Sequence, residues 1–333
     1  MSALRAAVIG MGWWGKYIVQ RLAGSSALTI THAVDTAPEP VADFVREHGL
    51  TLCTSIEEVL GDPDVDAVLV VTPHSTHEAL VIAAAEAGKQ VFCEKPLTLT
   101  AASAERMLAA CDKAGIVLGI GHERRFEPAM EEVAAMIQAG RLGTLLHLEA
   151  NVSHDLFAHV DATNWRVGAK DAPAAGMTAL GVHLTDLFIS YAGRPTAVRA
   201  RTAHVLPGAA GNDHLSIWID FAAGSTASIT SIASTPYYGR LTAFGSAGWA
   251  EVRESANVDK ELPSELVVSD AAGRRTAKSF PAARTVRTNL EAWARAAMGK
   301  APYRYTREQL LDNVRILDAV VRSSNAGGTL VTL

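Results

Sequence analysis

The chain has 333 residues, 49% apolar and 20% charged, with a formal net charge of −5. That length exceeds one ordinary domain and fits two, and the acidic balance lacks the basic footprint on which nucleic-acid binding depends. No run approaches the roughly 20 apolar residues of a membrane-spanning helix.

The opening "MSALRAAVIG" leads straight into a strand-like run with no room for a signal peptide, so a cytoplasmic protein is expected. Strand patterns at "AAVIG" (6–10), "LTITHAVD" (28–35), "DAVLVVTP" (66–73), "QVFCEKP" (90–96) and "IVLGIG" (116–121) alternate with helical patterns at 14–24, 75–89 and 101–115. "SIEEVL" opens with a Ser-x-x-Glu capping box. Strands alternating with crossover helices predict a parallel, doubly wound sheet. Cys53, Cys93 and Cys111 are odd in number and widely spaced, which fits neither a disulfide framework nor a zinc site.

The rhythm changes near residue 121. After a helix at about 127–139 and a strand at 144–153 comes an irregular stretch, then a helix carrying His183. Strands follow at 196–205, 213–222, 225–234, 240–248 and 249–254, and a final helix spans 306–324. In "HLSIWIDF", Leu215, Ile217, Ile219 and Phe221 alternate with Ser216, Trp218 and Asp220, the period of a sheet whose two faces differ. A second domain of α+β class with a large, mostly antiparallel open sheet is predicted. The boundary is drawn at 121/122, with helix 306–324 packing back near the first domain.

"GMGWWG" follows the first strand and opens the first helix. Gly10 permits a tight turn, Gly12 lets a pyrophosphate approach the backbone, and Gly15 allows helix and strand to pack closely. Trp13 and Trp14 lie within this loop. The helix N-terminus presents free N–H groups to phosphates. Asp35 ends the second strand, where a carboxylate accepts from both ribose hydroxyls and repels a 2′-phosphate. No Arg or Lys occurs in "DTAPEP", so NAD is favoured over NADP. These features make the first domain a Rossmann dinucleotide-binding fold.

"VFCEKPLTL" places Glu94, Lys95 and Pro96 at the C-terminal end of a strand, the edge at which such sheets bind ligands. Together with "AVIGMGWWG", "TPHSTHEAL", "GHERRFEPAM", "GVHLTD" and "LTAFGSAGWAEV", in that order over residues 6 to 253, the chain resembles the glucose–fructose oxidoreductase, inositol dehydrogenase and MocA (Gfo/Idh/MocA) family of NAD(P)-dependent oxidoreductases. The resemblance implies that Lys95 faces the nicotinamide, polarises the substrate oxygen and takes part in proton transfer. It implies that Thr72, Pro73 and His77 line the cofactor, and that Glu94 orients the turn at Pro96, which in the family is often cis. "GHERRF" holds Glu123 where the family commonly has Asn; Arg124 and Arg125 are read as ties between the domains near the cofactor, with substrate contact as the other reading for both, and His122 is a further candidate for substrate contact.

Better-known members carry an Asp four residues before the histidine, where this chain has Ala179. The stretch "NWRVGAKDAPAAGMTALGVH" resembles a branch in which a small residue at that position is ordinary. His183 is read as a working acid–base group whose ring is oriented by Asp186 three residues on. A satisfied core histidine and a purely structural Asp186 are the bland alternatives. Asn151, His154, His159, Trp165, Arg166, Tyr237 and Tyr238 are candidates for the substrate wall; Trp165 can stack on a sugar-like ring and Arg166 can clamp a carboxylate. His154 and His159 lack a third ligand, so no metal is expected.

The function expected is hydride transfer between nicotinamide and a secondary alcohol or ketone of a sugar, cyclitol or related polyhydroxylated ring. Two alternatives remain: a dehydrogenase of a dihydrodiol or carboxylated semialdehyde with Arg166 as anion clamp, and a non-catalytic NAD-binding regulator, which Ala179 keeps open. A small-molecule substrate is expected, with no nucleic-acid or membrane partner. Homodimer or homotetramer formation through the second domain's sheet is expected, because helices cannot cover both of its faces.

Overall fold

The computed structural model describes residues 3–155, 160, 161, 164–168, 170–209 and 211–333. Two compact units divide it: Met1–Glu123 with Val286–Arg307, and Arg124–Thr285 with Glu308–Leu333. The first holds β1 (Leu4–Ile9), α1 (Trp13–Leu22), β2 (Leu28–Val34), α2 (Ala42–Glu47), β3 (Thr51–Cys53), α3 (Ile56–Leu60), β4 (Ala67–Val70), α4 (His77–Glu86), β5 (Gln90–Cys93), α5 (Ala101–Ala114) and β6 (Leu118–Ile120). Its strands pair in the order β3-β2-β1-β4-β5-β6, all parallel. The order reverses between β1 and β4, and a sheet of this kind opens its ligand crevice there, at the C-terminal strand ends. Every residue of β4 is buried, as the unbroken apolar run predicts for a strand covered on both faces. Ser55 and Glu58 cap α3 reciprocally, as their spacing predicts.

The second unit contains α6 (Pro128–Gln138), β7 (Leu145–Ser153), α7 (Gly181–Ala192), β8 (Pro195–Ala203), β9 (His214–Phe221), β10 (Thr226–Ile232), β11 (Tyr238–Gly245), β12 (Gly248–Glu254), β13 (Ser264–Asp270) and β14 (Arg275–Phe280). After α8 (Thr285–Ala297), α9 (Arg307–Asn325) and β15 (Val331–Thr332) complete it. The sheet order is β14-β13-β12-β11-β7-β10-β9-β8-β15, antiparallel except where β10 runs parallel to β7. Among the described residues, no helix is long and apolar enough to cross a membrane.

The last third of the chain divides between the two units. The segment Val286–Arg307 returns to the first unit, because α8 presents Val286, Leu290, Trp293 and Ala294 to that unit's core. Trp293 meets Phe92 edge-on at 5.4 Å and donates its indole N–H to Val117 O at 3.0 Å. Helix α9 carries hydrogen bonds to its own unit: Asn313 Nδ2 donates to Val182 O and Thr185 Oγ1, both at 3.0 Å, and Ser323 Oγ accepts from Ala200 N at 2.8 Å.

The sheet's apolar face was expected to need a partner molecule. Leu215, Ile217, Ile219 and Phe221 are buried within the chain itself, alongside Leu148, Ala150, Ala227, Ile229 and Leu241. The opposite face is polar with aromatic islands: His147 ring nitrogens meet Thr226 and Ser228 hydroxyls at 2.7 and 3.0 Å, Arg240 pairs with Glu149, and Trp218 is 45% exposed.

Candidate active site

In the first unit, the C-terminal strand ends gather the cofactor candidates. The chain turns out of β1 at Gly10 with φ +96°, a conformation L side chains rarely adopt. A Cβ on Gly15 would lie 2.2 Å from the Gly10 carbonyl, so α1 approaches β1 only because that atom is missing. Gly12 differs: open space surrounds the place its Cβ would take. It is the N-cap of α1 with no side-chain cap, which leaves the first-turn amides to an anion. Trp13 beside it is 60% exposed, while Trp14 stacks on Tyr17 at 4.9 Å. Asp35 accepts from Met11 N at 2.9 Å through one oxygen and from Ala37 N at 3.0 Å through the other. Each oxygen has a second lone pair, so the pinned carboxylate retains acceptor capacity for ribose hydroxyls. This cradle fits a dinucleotide.

The next loops carry the chemistry. After β4, Thr72 Oγ1 bonds Thr76 Oγ1 at 2.6 Å, and Thr76 closes the turn onto Pro73 O. His77, fully buried, spans to the loop after β5: Nδ1 lies 3.0 Å from Pro96 O and Nε2 lies 3.0 Å from Thr72 O. It clamps two loops together. Glu94 is buried, and burial pushes its carboxyl up, partly offset by the Trp14 indole and by Lys95, whose backbone N–H donates to it at 3.2 Å. Lys95 is half-buried, and the Lys95–Pro96 peptide is cis. His122 is buried, and its carbonyl accepts from the Tyr305 hydroxyl.

In the second unit, His183 is buried in the first turn of α7. Asp186 is held by an arginine. Arg125 Nε and Nη2 grip its two oxygens at 2.7 and 2.6 Å, and Gln309 accepts from Arg125 Nη1 at 2.9 Å. Arg124 is 2% exposed and pairs with Glu254, with Glu127 at 3.6 Å. Burial disfavours its charge, but those carboxylates outweigh it and hold the guanidinium above its usual range. Tyr237 donates to Glu254 at 2.9 Å and so joins this network. Both arginines, read as domain ties from sequence, make these bonds inside one unit.

The remaining candidates scatter. Asn151, between buried Ala150 and Val152, faces away from the helix-covered side of the sheet and accepts from Ser153 at 2.6 Å. His154 lies 2.8 Å from Asp155. The Arg166 guanidinium lies over the Trp165 ring at 4.4 Å, at a cavity of about 470 Å³ lined also by His204, Asn212, Asp213 and Ser234. Tyr238 is exposed on β11, and His159 lies outside the described residues.

Comparison with known proteins decides the lineage. A family model described as "Oxidoreductase family, NAD-binding Rossmann fold" matches residues 4–122, and the GFO/IDH/MocA C-terminal domain matches residues 130–251. A D-xylose 1-dehydrogenase (NADP(+)) of Haloferax volcanii is 30% identical over 83% of both chains. The chain belongs to the Gfo/Idh/MocA family. The scyllo-inositol 2-dehydrogenase (NAD(+)) of Bacillus subtilis is 37% identical, but that match spans only 42% of each chain. The solved aldose-aldose oxidoreductase of Caulobacter crescentus shares the fold, with a TM-score of 0.88, 24% identity and coverage of 99% and 100%.

Sequence reasoning missed several supports of this Gfo/Idh/MocA site. A Cβ on Gly121 would sit 2.4 Å from Glu94 Oε2, so only glycine leaves room for that buried carboxyl. Asn289 of α8 donates to Ile120 O at 2.8 Å and accepts from Tyr303 at 2.8 Å, bracing the end of β6. Gly121 adjoins "GHERRF" and could have been found; Asn289 lies 169 residues from its partner, with no local signal.

Proposed function

We propose that this chain is an NAD-dependent dehydrogenase that transfers hydride between nicotinamide and a secondary alcohol or ketone of a sugar, cyclitol or related ring. The observation that carries the reading is the gathering of the Gly12 cradle, the pinned Asp35 carboxylate and the Glu94–Lys95 turn at one edge of the six-stranded sheet. NAD supplies the hydride acceptor or donor when bound. Gly10, Gly12 and the first-turn amides of α1 hold its phosphates, and Asp35 takes the ribose hydroxyls and disfavours a 2′-phosphate. Lys95 accepts the proton of the substrate hydroxyl in oxidation and returns it in reduction. A lysine does this near neutral pH only when burial or a nearby positive charge favours the neutral amine. His183 acts as the second proton donor or relay, with Asp186 and Arg125 fixing the helix turn beneath it. Buried, unpaired thiols at Cys53, Cys93 and Cys111 suit the cytoplasm, where this reading places the protein.

The test is NADH formation from NAD over a panel of aldoses, cyclitols and sugar alcohols. Turnover is expected with ring secondary alcohols and with NAD preferred over NADP. Asp35→Ser is expected to erode that preference by at least about tenfold, or 1.4 kcal/mol. An unchanged preference would remove Asp35 from cofactor selection.

A second reading has its own observation. Arg166 has no acidic partner among the described residues, and desolvation alone shifts its pKa, downward. A substrate carboxylate is the natural complement, which makes a carboxylated substrate the alternative; neutral and carboxylated sugars compared on wild type and Arg166→Ala separate the two.

A further inference from the structure

We propose that His77 is a buried imidazolium that fixes the Lys95–Pro96 turn and biases Lys95 toward its neutral, proton-accepting form. The proposal rests on the reading of Lys95 as the acid–base group. Both ring nitrogens face backbone carbonyls: Nδ1 lies 3.0 Å from Pro96 O and 3.2 Å from Leu97 O, and Nε2 lies 3.0 Å from Thr72 O. A carbonyl oxygen only accepts, and a neutral imidazole carries a single N–H. Either neutral tautomer therefore sets a lone pair against an oxygen at hydrogen-bond distance. Full burial makes such an unmade bond costly. Only the imidazolium donates at both ends.

Two effects oppose the charge. Burial favours the neutral ring, and His77 opens α4, where the helix dipole favours anions. Against them stand three carbonyl oxygens around two N–H donors, and bonds from a charged donor are roughly twice as strong as neutral ones. The ionisable groups on the elements that meet the ring are compatible with it. His74 meets it edge-on at 5.7 Å. Glu78 of α4 is committed to Arg106 and Ser103 of α5. Cys93, Glu94 and Lys95 come from β5 and its turn, and burial pushes the first two toward their neutral forms. Lys95 directly precedes Pro96, whose carbonyl the ring grips, and is the group on which a fixed positive charge there would act. His77 touches carbonyls and not the reacting atoms, so it is a positioning residue.

The first experiment is nitrogen NMR on ¹⁵N-histidine-labelled protein, with the His77 ring assigned by its loss in His77→Gln or His77→Asn. It needs neither substrate nor cofactor. Both His77 nitrogens are expected to stay protonated at about pH 8, well above the ordinary histidine value near 6.5. A neutral tautomer at pH 7 overturns the proposal. The second experiment is the pH profile of kcat for His77→Gln. In the oxidation direction, the ascending limb of the profile is expected to move to higher pH, with roughly tenfold lower kcat at pH 7 that recovers as pH increases. A loss equal at every pH marks a merely structural histidine and also overturns it. If wild type turns over nothing, the functional reading falls, while the NMR result still decides the charge of His77.

Discussion

Asp186 lies three residues after His183, near enough along α7 to orient its ring, yet both its oxygens accept from Arg125. With Asp186 only 1% exposed, removing the guanidinium leaves a buried carboxylate without its main partner. Arg125→Met is expected to cost about 3–5 kcal/mol, and adding Asp186→Leu to recover part of it. Urea titration checks this; a single-variant loss below about 1 kcal/mol would contradict the pairing. Glu94 gives a pH-dependent prediction. Its folded pKa is raised, so the folded state holds the proton more tightly than the unfolded chain. Its contribution is full below the ordinary carboxylate value near 4.3 and is lost as pH rises through the raised folded value. Glu94→Gln should therefore gain stability relative to wild type as pH climbs through that window. A difference that stays flat with pH would show that burial does not hold the carboxyl up.

At the scale of elements, α1 against β1 depends on two glycines. Gly15→Ala puts a Cβ 2.2 Å from the Gly10 carbonyl, which a backbone atom cannot flex to avoid. About 1–3 kcal/mol of destabilisation together with weaker NADH binding is the expected result, read by thermal melting and fluorescence titration. Normal binding by the variant would separate the glycine loop from cofactor affinity. This much was legible in the sequence, because the loop, the strands and Asp35 are encoded within a few residues of one another. Helix α8 was not: its apolar residues report a helix, but nothing local says that Trp293 packs on Phe92, 201 positions earlier (293 minus 92). Strands β13 and β14 escaped for another reason. β14 is an edge strand whose first five residues are exposed, so it lacks the buried alternation that marks a strand. The partner of Asp186 was hidden similarly, since spacing along α7 reveals His183 while Arg125 arrives from 61 residues away.

The whole molecule raises the question of assembly. The sheet face left without helices carries Trp218 at 45% exposure, with His147, Asn151 and the Arg240–Glu149 pair. We propose that a second copy covers it, as a homodimer or homotetramer, through contacts more polar than the sequence-based expectation held. Trp218→Asp should shift sedimentation toward monomer at micromolar concentration; a wild type that already sediments as a monomer would refute the assembly. At this scale too, Lys95 and His183 are proposed to do the acid–base work for hydride transfer. Single-turnover NADH formation on an active polyol by wild type, Lys95→Ala and His183→Ala, with NADH affinity measured alongside, tests this. Both variants are expected to lose at least about 100-fold in rate while binding NADH normally. Near-wild-type turnover by either variant would contradict it.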